Sequence, residues 1–272
     1  MDLGLKGRVA LVCGASAGIG RVIAEALADE GARVAMTSRD RTRIAAAAAP
    51  IGALGLVHDS ADLDEIPTVL GRVEEHFGAP ITLLVCNTGG PPGNPDPLAF
   101  TREQWELAHR TLLLAPLEFI AHAVPGMRAA GFGRIVNVVS TAAREPIPSL
   151  MLSNSERAGA LAAFRTLSHR LAPDGITVNS LLTGRISTAR LHSLAGSREA
   201  ADQRARDEVP AGPPRHPAEK GGPPGLPPGN GLATRYRRGV WEPRPKWRPP
   251  PHSSVRPAPP TSPVRHWRSM AA

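Results

Sequence analysis

A glycine-rich segment near the N terminus has the residue types and the spacing that bind a phosphate. Gly14, Gly18 and Gly20 follow the apolar run Arg8–Cys13 and precede a stretch with helical spacing. Glycines let the backbone approach a ligand closely, and a helix N terminus offers free N–H groups and a positive dipole end. The spacing is G-x-x-x-G-x-G, not the commoner dinucleotide fingerprint G-x-G-x-x-G. The segment predicts a dinucleotide site, with a tight strand–helix connection as the alternative.

A second group of polar residues lies at the end of the next apolar run. Thr37, Ser38 and Arg39 provide two hydroxyls and a guanidinium. An acidic residue at this point would bind the ribose 2′-hydroxyl of NAD and repel a 2′-phosphate, whereas hydroxyls and arginine suit the phosphate. The cofactor predicted here is therefore NADP(H) and not NAD(H). The alternative is that Arg39 is a solvated loop residue.

The chain that positions these residues alternates apolar runs with amphipathic stretches. Runs rich in Val, Ile and Leu predict six buried strands, at Arg8–Cys13, Arg33–Thr37, Ala53–His58, Ile81–Cys86, Arg134–Val139 and Ile176–Leu181. Helical spacing predicts helices at Gly18–Glu30, Asp62–Phe77, Thr101–Ala130 and Leu152–Leu171. This alternation predicts an α/β fold with a doubly wound parallel sheet, covered on both faces. Ligands of such folds bind beyond the carboxyl ends of the strands.

Charge is distributed unevenly along the 272 residues. Residues 1–212 carry 21 basic and 22 acidic side chains, whereas residues 213–272 carry 11 and 2. The body therefore gives no electrostatic reason to expect nucleic acid as a partner. Its two cysteines, Cys13 and Cys86, argue against a disulfide scaffold or a cysteine-based zinc site, and no metal is expected. Because no apolar run approaches roughly 20 residues and no secretory signal is evident, we expect a cytoplasmic protein without membrane contact.

Four motifs, in order along residues 5–212, resemble the short-chain dehydrogenase/reductase family and in particular its 3-oxoacyl-[acyl-carrier-protein] reductases. The motifs are Cys13–Gly20, Cys86–Gly89, Arg134–Ser140 and Asn179–Thr188. The resemblance implies a Rossmann-type fold and a nicotinamide cofactor. It also implies hydride transfer between that cofactor and a small carbonyl or alcohol substrate, a ketone or secondary alcohol of 3-oxoacyl type.

The resemblance assigns cofactor-binding roles position by position. The pyrophosphate turn would comprise Gly14, Ser16, Gly18, Ile19 and Gly20. Asp59 matches a residue that contacts adenine, and Asn87 and Gly89 match the family's N-N-A-G motif. Ile186 and Thr188 match the segment that holds the nicotinamide carboxamide. The chain departs from the family pattern, with small residues that fit, at Cys13, Cys86 and Thr88.

The reaction centre departs further from the family pattern. The family uses a Ser that holds the carbonyl oxygen, a Tyr 13 positions later that exchanges its proton, a Lys four beyond the Tyr, and an Asn 28 before the Ser. The matching residues are Ser140, Ser153, Arg157 and Leu112, so the serine alone is retained. The sole tyrosine, Tyr236, lies in the C-terminal segment. An aliphatic hydroxyl is a far weaker acid than a phenol, so the catalytic set Ser140, Ser153 and Arg157 predicts an impaired proton relay.

Two interpretations of the neighbouring residues stay open. Glu145 could act as a general acid if it is desolvated, against the alternative of a solvated loop charge. Pro146–Ser155 predicts a loop that enters the next helix, with Ser153 or Asn154 as its N-cap. An N-cap role would leave Ser153 without a chemical function.

Residues 213–272 form a Pro/Gly/Arg-rich segment that differs from the Rossmann-type domain at residues 1–212. The segment holds 16 of the 29 prolines, which predicts a disordered tail in which the family's last strand is missing. Two explanations stay open: a frameshift in a GC-rich gene, or a functional basic arm that binds nucleic acid or an acidic partner. Since the family's last strand also forms a subunit contact, the frameshift predicts a homodimer at most, not a tetramer.

Two functions follow from the sequence. The first is an NADP(H)-dependent oxidoreductase in which Ser140 polarises the carbonyl of the substrate. The second is a nicotinamide-dinucleotide-binding protein that is catalytically impaired, either a relic or a cofactor-sensing partner of other proteins.

Overall fold

One parallel sheet of six strands organises the part of the chain that the structure describes. The computed structural model describes residues 2–184 together with Ile186, Thr188, Ser197, Glu199 and Gln203. The strands are β1 (Val9–Val12), β2 (Arg33–Ser38), β3 (Leu54–Val57), β4 (Ile81–Cys86), β5 (Gly133–Ser140) and β6 (Ile176–Thr183). Their order in the sheet is β3-β2-β1-β4-β5-β6, and every pair is parallel. All six strands predicted from the apolar runs are confirmed, whereas the predictions for residues 213–272 lie outside the described residues.

Helices flank this sheet on both sides. They are α1 (Gly18–Asp29), α2 (Arg41–Ala48), α3 (Ile66–Phe77), α4 (Arg102–His109), α5 (Ala115–Ala129) and α6 (Met151–Leu171). Helix α2 has no counterpart among the predicted helices because its sequence, RTRIAAAA, carries no apolar stripe. Its N-cap Asp40 accepts a hydrogen bond from the backbone nitrogen of Arg43 at 2.9 Å. This cap starts the helix where periodicity gives no signal.

The start of α6 corrects a second prediction. The helix begins at Met151 with Leu150 as its N-cap residue, so Ser153 and Asn154 lie within its first turn. The prediction that one of them caps the helix is therefore wrong. Both side chains are buried, and Asn154 forms its hydrogen bonds with the backbone of Ile147.

The predicted helix over Thr101–Ala130 contains a π-helical turn at Arg110–Leu114, which connects α4 to α5. Thr101 begins α4 with a capping box that it forms with Gln104. Leu112, in the widened turn, is 3% exposed. Leu112, which the sequence analysis predicts to match the family's asparagine, is thus an apolar side chain within the protein interior.

Two apolar layers hold the helices against the sheet. Side chains alternate along β1: Val9 and Leu11 belong to one core cluster, and Ala10 and Val12 belong to the other. The first cluster contains Phe119 of α5 and Phe164 of α6, and the second contains residues of α1 and α2. The sheet is therefore covered on both faces, and the predicted doubly wound, Rossmann-type fold is confirmed.

Candidate active site

Two adjoining cavities open at the carboxyl ends of the strands. The larger, of about 680 Å³, is lined by residues at the ends of β1, β2 and β3, and the smaller, of about 220 Å³, by residues at or just beyond the ends of β4, β5 and β6. They share the lining residues Thr88, Gly90 and Pro91. Every predicted site residue except Gly18 and Gly20 lines one of the two cavities. Residues scattered over the sequence thus form a crevice of two adjoining parts at one edge of the sheet.

The glycine turn lies between the two cavities and follows β1. Gly14 and Gly18 have φ angles of +59° and +56°, in the left-handed region that favours glycine. A Cβ atom on Gly20 would lie 2.5 Å from the carbonyl oxygen of Gly14 and 2.6 Å from Nδ2 of Asn87. Asn87 Nδ2 donates to the carbonyl oxygens of Cys13 and Gly14, at 3.3 and 3.1 Å. Asn87 therefore holds the turn in place from the end of β4.

The start of α1 suits an anionic ligand. Its N-cap residue, Ala17, provides no side-chain acceptor, and the first turn carries no acidic residue. The backbone N–H groups at this helix end therefore have no side-chain cap, and the helix dipole favours a negative charge beside them.

Replacing Gly20 by alanine should weaken dinucleotide binding. The new methyl group would displace the Gly14 carbonyl or the Asn87 amide, and disturbing one such partly buried hydrogen bond costs about 1–3 kcal/mol, or roughly 5- to 150-fold in affinity. Titration of cofactor fluorescence measures this loss. The control is Gly71→Ala in α3, where no atom lies within 4 Å of the added Cβ. Unchanged binding in Gly20→Ala would contradict the geometry of the turn.

Hydroxyl and guanidinium groups line the larger cavity beyond β2. Ser38 Oγ donates to Ser16 Oγ at 2.9 Å, which ties the end of β2 to the glycine turn. Arg39 and Arg43 line the cavity together, and both are exposed. The nearby carboxylate of Asp40 binds Arg43 Nε at 2.9 Å. Hydrogen bonds and the charge of Arg43, chiefly the bond from its backbone nitrogen, lower the pKa of Asp40.

Sequence reasoning found Arg39 but missed Arg43. The two arginines are four residues apart, and α2 starts between them. This spacing was the available signal, but it could be used only if α2 was predicted, and the periodicity did not predict that helix. His58 was also missed as a lining residue. It is 3% exposed, its Nε2 lies 3.0 Å from the carbonyl oxygen of Asp62, and its ring packs edge-on against Phe119. Asp59, the predicted adenine contact, is exposed beside it and lines the same cavity.

Ser140, Ser153 and Arg157 line the smaller cavity together. Arg157 Nε donates to Ser153 Oγ at 3.1 Å, and Arg157 Nη1 donates to the carbonyl oxygen of Val138, also at 3.1 Å. Ser140 Oγ accepts a bond from the backbone nitrogen of Ala142 at 3.2 Å. Each serine oxygen accepts one hydrogen bond and still carries an O–H group that can donate to a ligand. The three residues can hold and polarise a ligand oxygen.

The remaining candidate acids do not join this group. Glu145 and Arg144 are exposed, and their backbone nitrogens both donate to the carbonyl oxygen of Thr141 at 2.9 Å. This exposure favours the solvated-charge interpretation of Glu145. Ile186 and Thr188 line the smaller cavity as predicted.

The two cysteines are buried at the ends of β1 and β4. Burial raises the pKa of the Cys13 thiol to about 12, and burial also raises the pKa of the Cys86 thiol. Both side chains therefore stay neutral, and they pack as small apolar groups beside the glycine turn. Among the described residues, no helix is long and apolar enough to cross a membrane.

A doubly wound parallel sheet, with a glycine turn and a two-part crevice at its carboxyl end, defines a dinucleotide-binding domain of the Rossmann class. The family model of short chain dehydrogenases matches residues 8–199. The chain therefore belongs to the short-chain dehydrogenase family, whose members are oxidoreductases.

Relatives and solved structures agree with this membership. The chain is 31% identical over 210 residues to the 3-oxoacyl-[acyl-carrier-protein] reductase of Haemophilus influenzae, which covers 76% of the chain and 85% of that protein. It is 33% identical to human dehydrogenase/reductase SDR family member 4, over 68% of each chain. The structure of L-sorbose reductase from Gluconobacter frateurii, complexed with NADPH and L-sorbose, has a TM-score of 0.71 and 30% identity. That likeness covers 76% of this chain and 84% of the reductase.

Proposed function

We propose that this chain binds NADP(H) and acts on a ketone or secondary alcohol of 3-oxoacyl type. The observation that carries the proposal is the pair of adjoining cavities, with the glycine turn and Arg39 in one and Ser140 with Arg157 in the other. The residues present fit the cofactor. Gly14 and Gly20 allow the turn to pack closely against Asn87, which leaves the uncapped start of α1 available to a pyrophosphate, and Arg39 and Arg43 suit a 2′-phosphate. Relatives that bind NADPH, such as the sorbose reductase, support the same assignment.

The residues of the smaller cavity would bind the substrate oxygen. When bound, the reduced cofactor supplies the hydride that the carbonyl carbon accepts. Ser140 and Ser153 would donate hydrogen bonds to the carbonyl oxygen, and the guanidinium of Arg157, bonded to Ser153, would stabilise the negative charge that develops there. Arginine stays protonated at neutral pH, so it cannot supply the proton that completes the alcohol. The proton that completes the alcohol would therefore come from solvent water, and the protein's own contribution would be to stabilise the developing negative charge.

The second candidate is a protein that binds the dinucleotide with little or no turnover. Ser153 at the tyrosine position and Leu112, buried at the asparagine position, favour this alternative. A parallel measurement of NADPH fluorescence and of ketone reduction separates the two. Binding with reduction at the rate of ordinary family reductases would support the enzyme, whereas binding without reduction would support the second candidate.

Removing the two arginines of the larger cavity should change the choice of cofactor. Arg39→Ala or Arg43→Ala removes one charged donor from the 2′-phosphate, which costs about 1.5–3 kcal/mol, or roughly 10- to 150-fold in NADPH affinity. The affinity for NADH should change little. The control is Arg41→Ala, because Arg41 is exposed on α2 and is not among the cavity-lining residues. Equal losses for NADPH and NADH would contradict a role in phosphate recognition.

A further inference from the structure

The segment Ile147–Leu150, which precedes α6, is held in place at two points. Asn154 Oδ1 accepts a hydrogen bond from the backbone nitrogen of Ile147 at 3.3 Å, and Asn154 Nδ2 donates to the carbonyl oxygen of Ile147 at 2.8 Å. The backbone nitrogen of Asn94 donates to the carbonyl oxygen of Ser149 at 2.8 Å. One side-chain amide and one neighbouring loop thus fix the conformation of this segment.

The same segment forms an apolar wall of the smaller cavity. Ile147 and Leu150 both line that cavity, as do Ser140 and Ser153. Asn154 follows Ser153 directly and is 9% exposed. Its amide therefore connects the wall to the helical turn that carries Ser153. Loss of the amide would remove the bond to the partly buried backbone nitrogen of Ile147, while the carbonyl oxygen of Ile147 would keep only the bond from the backbone nitrogen of Leu150, at 2.9 Å.

We propose that Asn154 is a positioning residue that fixes Ile147 and Leu150 as a preformed apolar subsite for the aliphatic substituent of the substrate. The inference rests on the proposed function, since it assigns part of the same crevice to the substrate. The two branched side chains are attached to backbone that hydrogen bonds hold in place. They therefore form an apolar surface that is ordered before the ligand binds. Preorganisation of this kind lowers the entropic cost of binding. The occupant is accordingly an alkyl or acyl chain beside the carbonyl group.

The length of an aliphatic ketone provides the test. In complexes with NADP⁺, which carries no hydride to transfer, the affinity of a ketone is measured whether or not the chain turns it over. Over the series from 2-butanone to 2-octanone, we expect calorimetry to show affinity rising by up to about fourfold for each buried methylene. Asn154→Ala should reduce this dependence on length and weaken the longest ketone by about tenfold, with unchanged NADP⁺ affinity. The matched control is Asn179→Ala, which removes an exposed amide on β6.

A second variant acts on the wall from the opposite side. A Cβ atom on Gly93 would lie 3.0 Å from the carbonyl oxygen of Ser149 and 3.1 Å from Cδ2 of Leu150. Gly93→Ala should therefore weaken long ketones more than short ones, without an effect on NADP⁺. Affinity that does not depend on chain length in the unaltered protein, or equal losses for all ketones in Asn154→Ala, would overturn the subsite while leaving the proposed function standing. Failure of the unaltered protein to bind NADP⁺ would overturn the proposed function, and the subsite with it.

Discussion

Replacing Ser153 by tyrosine and Arg157 by lysine together is expected to raise ketone reduction by roughly 100- to 10,000-fold. A phenol ordinarily titrates near pH 10, and a neighbouring ammonium group lowers that pKa, so the pair can transfer a proton that the present side chains cannot. Ser153 and Arg157 lie one helical turn apart on α6 and already contact each other. The introduced tyrosine and lysine would therefore occupy neighbouring positions on α6.

The expected gain is measured as the rate of NADPH oxidation with a saturating ketone. Ser153→Tyr alone should recover part of the gain, because Arg157 already supplies a neighbouring cation, whereas Arg157→Lys alone should gain little, because no phenol is then present. The matched control is Ser155→Tyr with Arg165→Lys, which places the same residue types on exposed positions of α6. Adding Leu112→Asn to the double variant tests whether the apolar side chain in the buried turn between α4 and α5 limits the rate of ketone reduction. Turnover of the unaltered chain at the level of its reductase relatives would show that another acid acts.

Replacing Phe119 by alanine is expected to lower the free energy of unfolding by about 3–5 kcal/mol. Phe119 is 2% exposed in the core layer beneath β4, and its ring packs edge-on against His58 with 5.4 Å between the ring centroids. The cavity left by the ring would therefore remove the support of a residue that lines the cofactor crevice. Cofactor affinity should fall along with stability.

Denaturant unfolding measures the loss of stability, and cofactor titration at low temperature measures the effect on the crevice. Phe119→Leu fills most of the space and serves as the control, with a smaller loss expected. Phe77→Ala, at the end of α3, is a second control because Phe77 is only partly buried at the edge of the same core. A loss below about 1 kcal/mol in Phe119→Ala would mean that the core closes around the missing ring.

The central strands β1, β2 and β4 could be predicted from the sequence because each is a nearly continuous apolar run that is buried on both sides, whereas the edge strands β3 and β6 are only partly buried. The ends of β1, β2 and β4 then placed the glycine turn, Arg39 and Asn87 at one edge of the sheet. Helix α2 could not be predicted in the same way, since capping by Asp40 and an alanine-rich composition form it without an apolar stripe. The π-helical turn at Leu112 likewise has no periodic signature.

The parts of the site that sequence reasoning missed depend on side-chain contacts across loops. Arg43 reaches the cavity because α2 begins directly after β2, and His58 lines it because β3 ends there. Asn154 appeared to be a helix cap because polar residues at a loop–helix boundary usually are. Its hydrogen-bond partner, Ile147, lies seven residues earlier in the chain. The pairing therefore depends on the conformation of the loop and not on a local sequence pattern.

The two buried thiols make this protein convenient for site-specific labelling. Alkylating reagents attack the thiolate, and neither Cys13 nor Cys86 is accessible or ionised near neutral pH. Since the chain has only these two cysteines, a cysteine introduced at an exposed position such as Glu145, in the loop that follows β5, should react with a maleimide dye selectively. A fluorophore there would report occupancy of the crevice without any change to the native cysteines.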